Sequence, residues 1–161
     1  MLKTGDKAVN FELPDYKGGR VKLFDLLGQH APLMLIFYKN SCPTCQYTFK
    51  HLPRIAREVG PENFLAIAQD TPIEGAEFRK QYQFDFNIAC DVSPYPVSVI
   101  YSLEVVPTFF VIEADKTISL IGEGFDKLAI DDFARRIAVS RGLQNYQAFQ
   151  TAEYIPLLKP G

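Results

Sequence analysis

A chain of 161 residues suits one domain with a single core, and 47% hydrophobic residues exclude an intrinsically disordered polypeptide. The net charge of −2, from 17 basic and 19 acidic residues spread along the chain, gives no electrostatic footprint for nucleic acid. No polybasic stretch points to a membrane surface, and the longest apolar run, Leu33 to Tyr38, is too short to span a bilayer. The start, Met1-Leu2-Lys3-Thr4-Gly5-Asp6-Lys7, has neither an apolar h-region nor a small-residue cleavage site. The expected location is therefore cytoplasmic, or exported if a signal has been trimmed.

In chain order, Val9, Phe11 and Leu13, the Gly18-Gly19 turn, then Val21 and Leu23 predict a β-hairpin. Phe24 to Leu27 reads as a short helical turn. Leu33 to Tyr38 is apolar throughout, the pattern of a strand covered on both faces. Apolar residues at helical spacing from Phe49 to Val59 predict a helix from Pro43 to Val59, kinked at Pro53 and stopped by Gly60-Pro61. Phe64 to Ala68 completes a β-α-β unit, and Asp70-Thr71-Pro72 offers cap chemistry for a helix from Ile73 to Tyr82.

Further on, Phe86 to Cys90 reads as a strand and Val97 to Leu103 as a helical segment. Thr108 to Ile112 and Ile118 to Ile121 read as strands joined by a polar turn. A helix through Leu128, Phe133 and Ala138 stops at Gly142. The sum is an α/β fold with a mixed central β-sheet flanked by helices and an N-terminal β-hairpin. Residues 1–142 make the domain. The tail, 143–161, carries Tyr146, Phe149, Tyr154, Ile155 and Leu157, and is expected to pack on the domain or on a partner, which leaves room for a homodimer.

Three cysteines are too few for a disulfide scaffold, and two of them form Cys42-Pro43-Thr44-Cys45. Cys42 falls where a strand ends and a helix begins, with Pro43 at a first-turn position that needs no amide donor. Unpartnered helix amides and the helix dipole favour negative charge on the Cys42 sulfur, and the thiolate is the nucleophile. Cys45, one turn later, is placed to attack a mixed disulfide formed on Cys42. Structural zinc needs a second ligand pair; Cys90, His30 and His51 show no ligand spacing. A copper site would need a histidine late in the chain, and both lie before residue 52.

The segments Phe37-Tyr38-Lys39-Asn40-Ser41-Cys42-Pro43-Thr44-Cys45 and Val105-Val106-Pro107-Thr108-Phe109-Phe110-Val111-Ile112 resemble the thioredoxin superfamily. The narrower resemblance is to its redoxin branch, alkyl hydroperoxide reductase/thiol-specific antioxidant, from Gly5 through the Phe133 helix. It implies a thioredoxin-like fold and a thiol–disulfide oxidoreductase with catalytic Cys42 and Cys45, needing no cofactor or metal. Its partners would be protein or small-molecule disulfides and thiols, with an upstream electron donor or acceptor. It also implies a cis Pro107 facing the cysteines, with Val106, Pro107, Pro43 and Thr44 contacting substrate.

The chain departs from the thioredoxin pattern at several positions. Ser41 replaces the usual Trp, Ile36 the buried Asp, and Thr48 the Glu of related thiol reductases; Lys50 replaces the helix proline, with Pro53 one turn on. The carboxylate base for Cys45 is therefore missing from its customary positions.

A thiol peroxidase is the rival enzyme on this fold. Its Pro-x-x-x-Thr/Ser-x-x-Cys signature meets Leu35 and Lys39 when read back from Cys42, and Tyr38 and Cys42 from Cys45; its arginine position holds Pro107. A non-enzymatic adaptor with idle cysteines is the alternative from another class. Cys90 reads as a buried small hydrophobe, Asp70 and Glu74 as helix-start residues, Lys39 as a loop lysine and His51 as a helix residue. Tyr38, Tyr95 and Phe109 line a groove or fill the core.

Overall fold

The computed structural model describes residues 1–161. The predicted hairpin forms as β1 (Glu12–Pro14) and β2 (Arg20–Lys22), and the short turn after it extends into α1 (Leu23–His30). β3 (Leu33–Tyr38) follows, as read from its apolar run. The helix expected from Pro43 to Val59 is instead two, α2 (Pro43–Phe49) and α3 (Leu52–Val59). Pro53 is the reason: it sits in the first turn of α3, where a missing N–H costs nothing, so the chain breaks before it rather than kinking around it. Lys50 and His51 close the break with bonds to Tyr47 O and Thr48 O, three residues back.

A 3-10 turn at Pro61–Asn63 leads into β4 (Phe64–Ala68), then α4 (Pro72–Tyr82) and β5 (Asn87–Cys90). The segment read as Val97 to Leu103 is only α5 (Pro96–Ile100), because Ser102 turns left-handed at φ 51° and ends it. β6 (Thr108–Ile112), β7 (Ile118–Glu123), β8 (Phe125–Asp126), α6 (Lys127–Ser140) and β9 (Leu158–Lys159) complete the chain. No helix is long and apolar enough to cross a membrane.

The central sheet runs β5-β4-β3-β6-β7, with β3, β4 and β5 parallel and β6 and β7 antiparallel to their neighbours. Side chains alternate across a strand, and β3 divides accordingly. Met34, Ile36 and Tyr38 face Phe49, Ile55, Phe78 and Phe133 of the α2, α3, α4 and α6 layer. Leu33, Leu35 and Phe37 face Leu13, Val21, Leu27, Val97 and Tyr101 of the hairpin, α1 and α5 layer. Two covered faces explain why all six residues of β3 are apolar. The chain has a thioredoxin-like fold: a mixed five-stranded sheet between helices, preceded by an antiparallel hairpin.

The cap chemistry after β4 belongs to Thr71, not Asp70. Thr71 Oγ1 accepts from Glu74 N, and the Glu74 carboxylate accepts from Thr71 N, a reciprocal capping box. The start of α5 has no such cap, since Tyr95 is left-handed. Asp91, fully buried at the end of β5, supplies it: its carboxylate accepts from Val97 N at 3.0 Å and from Ser98 N and Oγ at 2.7 Å each. Asp91→Ala leaves these buried donors unmet. Urea unfolding is expected to show a loss of about 2–4 kcal/mol, and less for Asp91→Asn, which keeps one accepting oxygen.

Candidate active site

β3 ends at Tyr38, and four residues later Cys42 caps α2 with extended backbone (φ −80°, ψ 118°) and Pro43 at the first helical position. The Cys42 sulfur accepts a hydrogen bond from Cys45 N at 3.2 Å and directs its thiol at Val106 O, 3.3 Å away. Positive polarity from the helix end thus meets one side of the sulfur, and a carbonyl meets the other. Cys42 is partly exposed and Cys45 fully buried; both are free thiols here.

The loop that presents Cys42 is stapled from below. Asn40 N donates to Asp70 Oδ2 at 2.8 Å, Asn40 Nδ2 to Glu74 O at 2.9 Å, and Gln46 Nε2 to Asn40 O at 2.8 Å. The Val106–Pro107 peptide bond is cis, the isomer implied by the resemblance. Pro107 enters β6, its carbonyl accepting from Gly124 N at 2.8 Å, and Thr108 Oγ1 folds back to Val105 O at 2.8 Å. Cys42, Pro43, Thr44, Cys45, Val106 and Pro107 therefore form one cluster where α2 starts beside the entry to β6. Antiparallel pairing of Phe37 with Thr108 makes that meeting unavoidable.

Burial is the main force on Cys45, and it pushes the thiol well above the usual cysteine range. Hydrogen bonding to Cys42 and the charges of Cys42 and Asp70 push the same way, while a backbone hydrogen bond from Lys39 opposes them. Tyr38 is buried in the same core layer as Cys45. Its hydroxyl is buried without a partner and is driven above the ordinary tyrosine range, by burial first, then by Asp70, Cys90 and Cys45. Asp70 itself is raised by desolvation, against the stabilising bond from Asn40 N. Cys90 is pushed up to about 11, mainly by burial, and stays outside the cluster at the end of β5.

Phe109 and Tyr38 are core, not groove. Tyr95 instead lines a cavity of about 360 Å³ with Lys39, Asp70 and Glu74. His51 leaves its expected helix interior for the α2–α3 break, where it packs on Tyr47, Phe125 and Phe149. Thr48, standing where relatives were expected to hold Glu, is fully buried and donates to Thr44 O at 2.9 Å. Sequence reasoning missed two contributors, Asp70 and the end of the tail, where Pro160 O accepts from Thr44 Oγ1 at 2.7 Å. Neither had a local signal, since their partners lie 30 and 116 residues away.

The AhpC/TSA family profile matches residues 4–121. The thiol-disulfide oxidoreductase ResA of Bacillus cereus (strain ZK / E33L) is 29% identical over 127 residues, covering 76% of this chain and 72% of ResA. A DsbE-type thiol:disulfide interchange protein of Chlorobium tepidum superposes with a TM-score of 0.73 at 26% identity, covering 87% of this chain and 99% of its own. Peroxidoxin BcpB of Mycobacterium tuberculosis gives 0.71 at 26% identity, over 90% and 100% of the two chains. With the profile spanning most of its length, the chain belongs to the AhpC/TSA family, among the thiol–disulfide oxidoreductases.

Proposed function

We propose that Cys42 and Cys45 are the exchanging thiols of this oxidoreductase and that protein disulfides are its substrates. The observation that carries this reading is the setting of the Cys42 sulfur, between the Cys45 amide and the Val106 carbonyl and partly open to solvent. A sulfur held at a helix start by an amide donor is suited to act as the attacking thiolate.

In the reductive direction, the Cys42 thiolate attacks one sulfur of a substrate disulfide. That S–S bond breaks, the departing sulfur takes a proton, and a mixed disulfide remains on Cys42. Cys45 then gives up its proton and attacks Cys42 Sγ. The second substrate sulfur leaves as a thiol, and the pair holds the disulfide: two electrons have passed to the substrate. The reverse sequence oxidises a dithiol. Val106 and Pro107 flank the substrate chain on one side, and Pro43 and Thr44 on the other.

The electrostatics give the two steps an order. While Cys42 is a free thiolate, its charge and its hydrogen bond hold the proton on Cys45. Once Cys42 is engaged in a mixed disulfide, that brake is gone and Cys45 ionises more readily. The peroxidase reading lacks comparable support, because Leu35, Lys39 and Pro107 stand where its threonine pocket and arginine would be.

Cys42→Ser is expected to lower turnover of a protein disulfide such as insulin by about 10³-fold or more, as for loss of a nucleophile. Cys45→Ser should accumulate a Cys42-linked mixed disulfide visible by mass spectrometry, and Cys90→Ser should stay within about twofold of the parent. Fast peroxide consumption with a sulfenic acid on Cys42, and no trapped substrate, would overturn the assignment.

Resolution of a preformed mixed disulfide should keep accelerating as pH rises through the alkaline range, because burial holds the Cys45 thiol above the usual cysteine range and keeps its thiolate scarce. Asp70 adds negative charge near that thiolate, so Asp70→Asn lowers the Cys45 pKa and moves the profile toward lower pH. At fixed pH near neutrality, stopped-flow resolution should run about two- to threefold faster, since thiolate supply outweighs the smaller loss of nucleophilicity. The asparagine still accepts from Asn40 N, so the loop geometry is kept.

A further inference from the structure

The chain beyond Phe149 returns across the cysteine cluster. Ala148 and Phe149 are buried in the core and Ile155 packs against it, which anchors the tail. After Pro156 the attachment changes character. Leu157 O accepts from Lys127 N at 3.0 Å, and β9 pairs antiparallel with β8, Lys159 opposite Phe125 and Leu158 opposite Asp126. The Lys159 ammonium stands 4.6 Å from the centre of the Tyr47 ring. Pro160 O accepts from Thr44 Oγ1, inside the Cys-Pro-Thr-Cys segment.

Gly161 then lies against Val105 and Val106. A Cβ there would come within 2.7 Å of Val106 O, the carbonyl that receives the Cys42 thiol, and 3.1 Å of Val105 Cβ. On the facing side Gly124 (φ +68°) brings its own backbone against Lys159, where a Cβ would lie 2.1 Å from Lys159 O. Two glycines thus permit backbone-to-backbone approach at both ends of the contact. Leu157 and Leu158 remain 63% and 59% exposed, so little apolar surface holds this segment down.

We propose that residues 157–161 are a resident occupant of the substrate groove, a strap that an extended disulfide-bearing segment of a protein substrate must displace to reach Cys42. The inference rests on the function proposed above. The strap occupies what such a segment needs: the pairing edge of β8, the Thr44 hydroxyl and the space over Val106 O. Because its hold is made of backbone and polar contacts, a chain able to add its own strand at Phe125–Asp126 replaces like with like. A small disulfide, needing only the Cys42 sulfur, has no use for the β8 edge.

The test compares the parent with Gly161→Val, which forces the end of the strap off Val106, and with a chain ending at Pro156. Each is reduced, checked for an unchanged circular dichroism spectrum and melting point, and treated with iodoacetamide or a polymer-linked maleimide, Cys42 being read by peptide mass spectrometry. Insulin reduction is measured alongside reduction of a small aromatic disulfide. Both variants are expected to gain about tenfold with the bulky maleimide and with insulin, the gain for a groove uncovered about a tenth of the time. Iodoacetamide and the small disulfide should change less than twofold. The amidated heptapeptide of residues 155–161, added to the shortened chain, should restore protection.

Equal maleimide rates in the parent and in every folded variant would overturn the strap. So would an equal gain with small and bulky reagents, which reports altered sulfur chemistry instead of uncovering. If the shortened chain fails to fold, Gly161→Val decides alone. The maleimide arm needs no disulfide exchange, so protection without exchange activity rejects the proposed function and leaves the strap standing.

Discussion

The sulfur of Cys42 joins two parts of the chain that are remote in sequence, the start of α2 and the turn into β6. It receives the Cys45 amide from one and offers its proton to the Val106 carbonyl of the other. Everything around it serves to hold these two pieces in register. The sheet does most of this, since β3 and β6 are adjacent antiparallel strands buried on both faces. A one-residue slip would turn Met34, Ile36 and Tyr38 to the wrong layer, so the register is strongly specified. The Asn40–Asp70 and Gln46–Asn40 bonds then set the loop that the strand cannot set by itself.

Beneath the partly exposed sulfur lies a buried, weakly ionisable floor: Cys45, Tyr38 and Cys90 are all desolvated and all held in their neutral forms. Asp70 is the carboxylate whose charge bears on all three, with Asp15 adding to it at Cys90, and its own ionisation is hindered by partial burial. In a low-dielectric setting each new negative charge penalises the next. The result is an asymmetry between two cysteines of the same motif: one is partly open and supported by a helix amide, the other shut away from water.

Much of this was legible in the sequence where the signal was local. The all-apolar run from Leu33 to Tyr38, the strand–Cys–Pro junction and the Val-Pro-Thr-Phe entry to β6 each carry their geometry in adjacent residues. The break between α2 and α3 was readable only in part, because Pro53 is as compatible with a new first turn as with a kink. The role of Asp70 was hidden behind an attractive cap motif that Thr71 completes without it. Asp91 carries no local signal in the sequence, since the amides it receives lie six and seven residues on, at the start of α5. The tail offered only apolar composition, and its docking depends on β8 and Thr44, far back in the chain.

The pairing of β3 with β6 brings together strands about seventy residues apart, so loop closure must be met before either stabilises the other. A nascent chain that has formed only β3, α2 and β4 already owns both cysteines but not the carbonyl opposite them. Its thiols would stand at the end of a lone β-α-β unit, open to any oxidant. The native setting of the Cys42 sulfur therefore requires β6 as well as α2, and recovery of that setting during refolding reports when β6 has docked on β3.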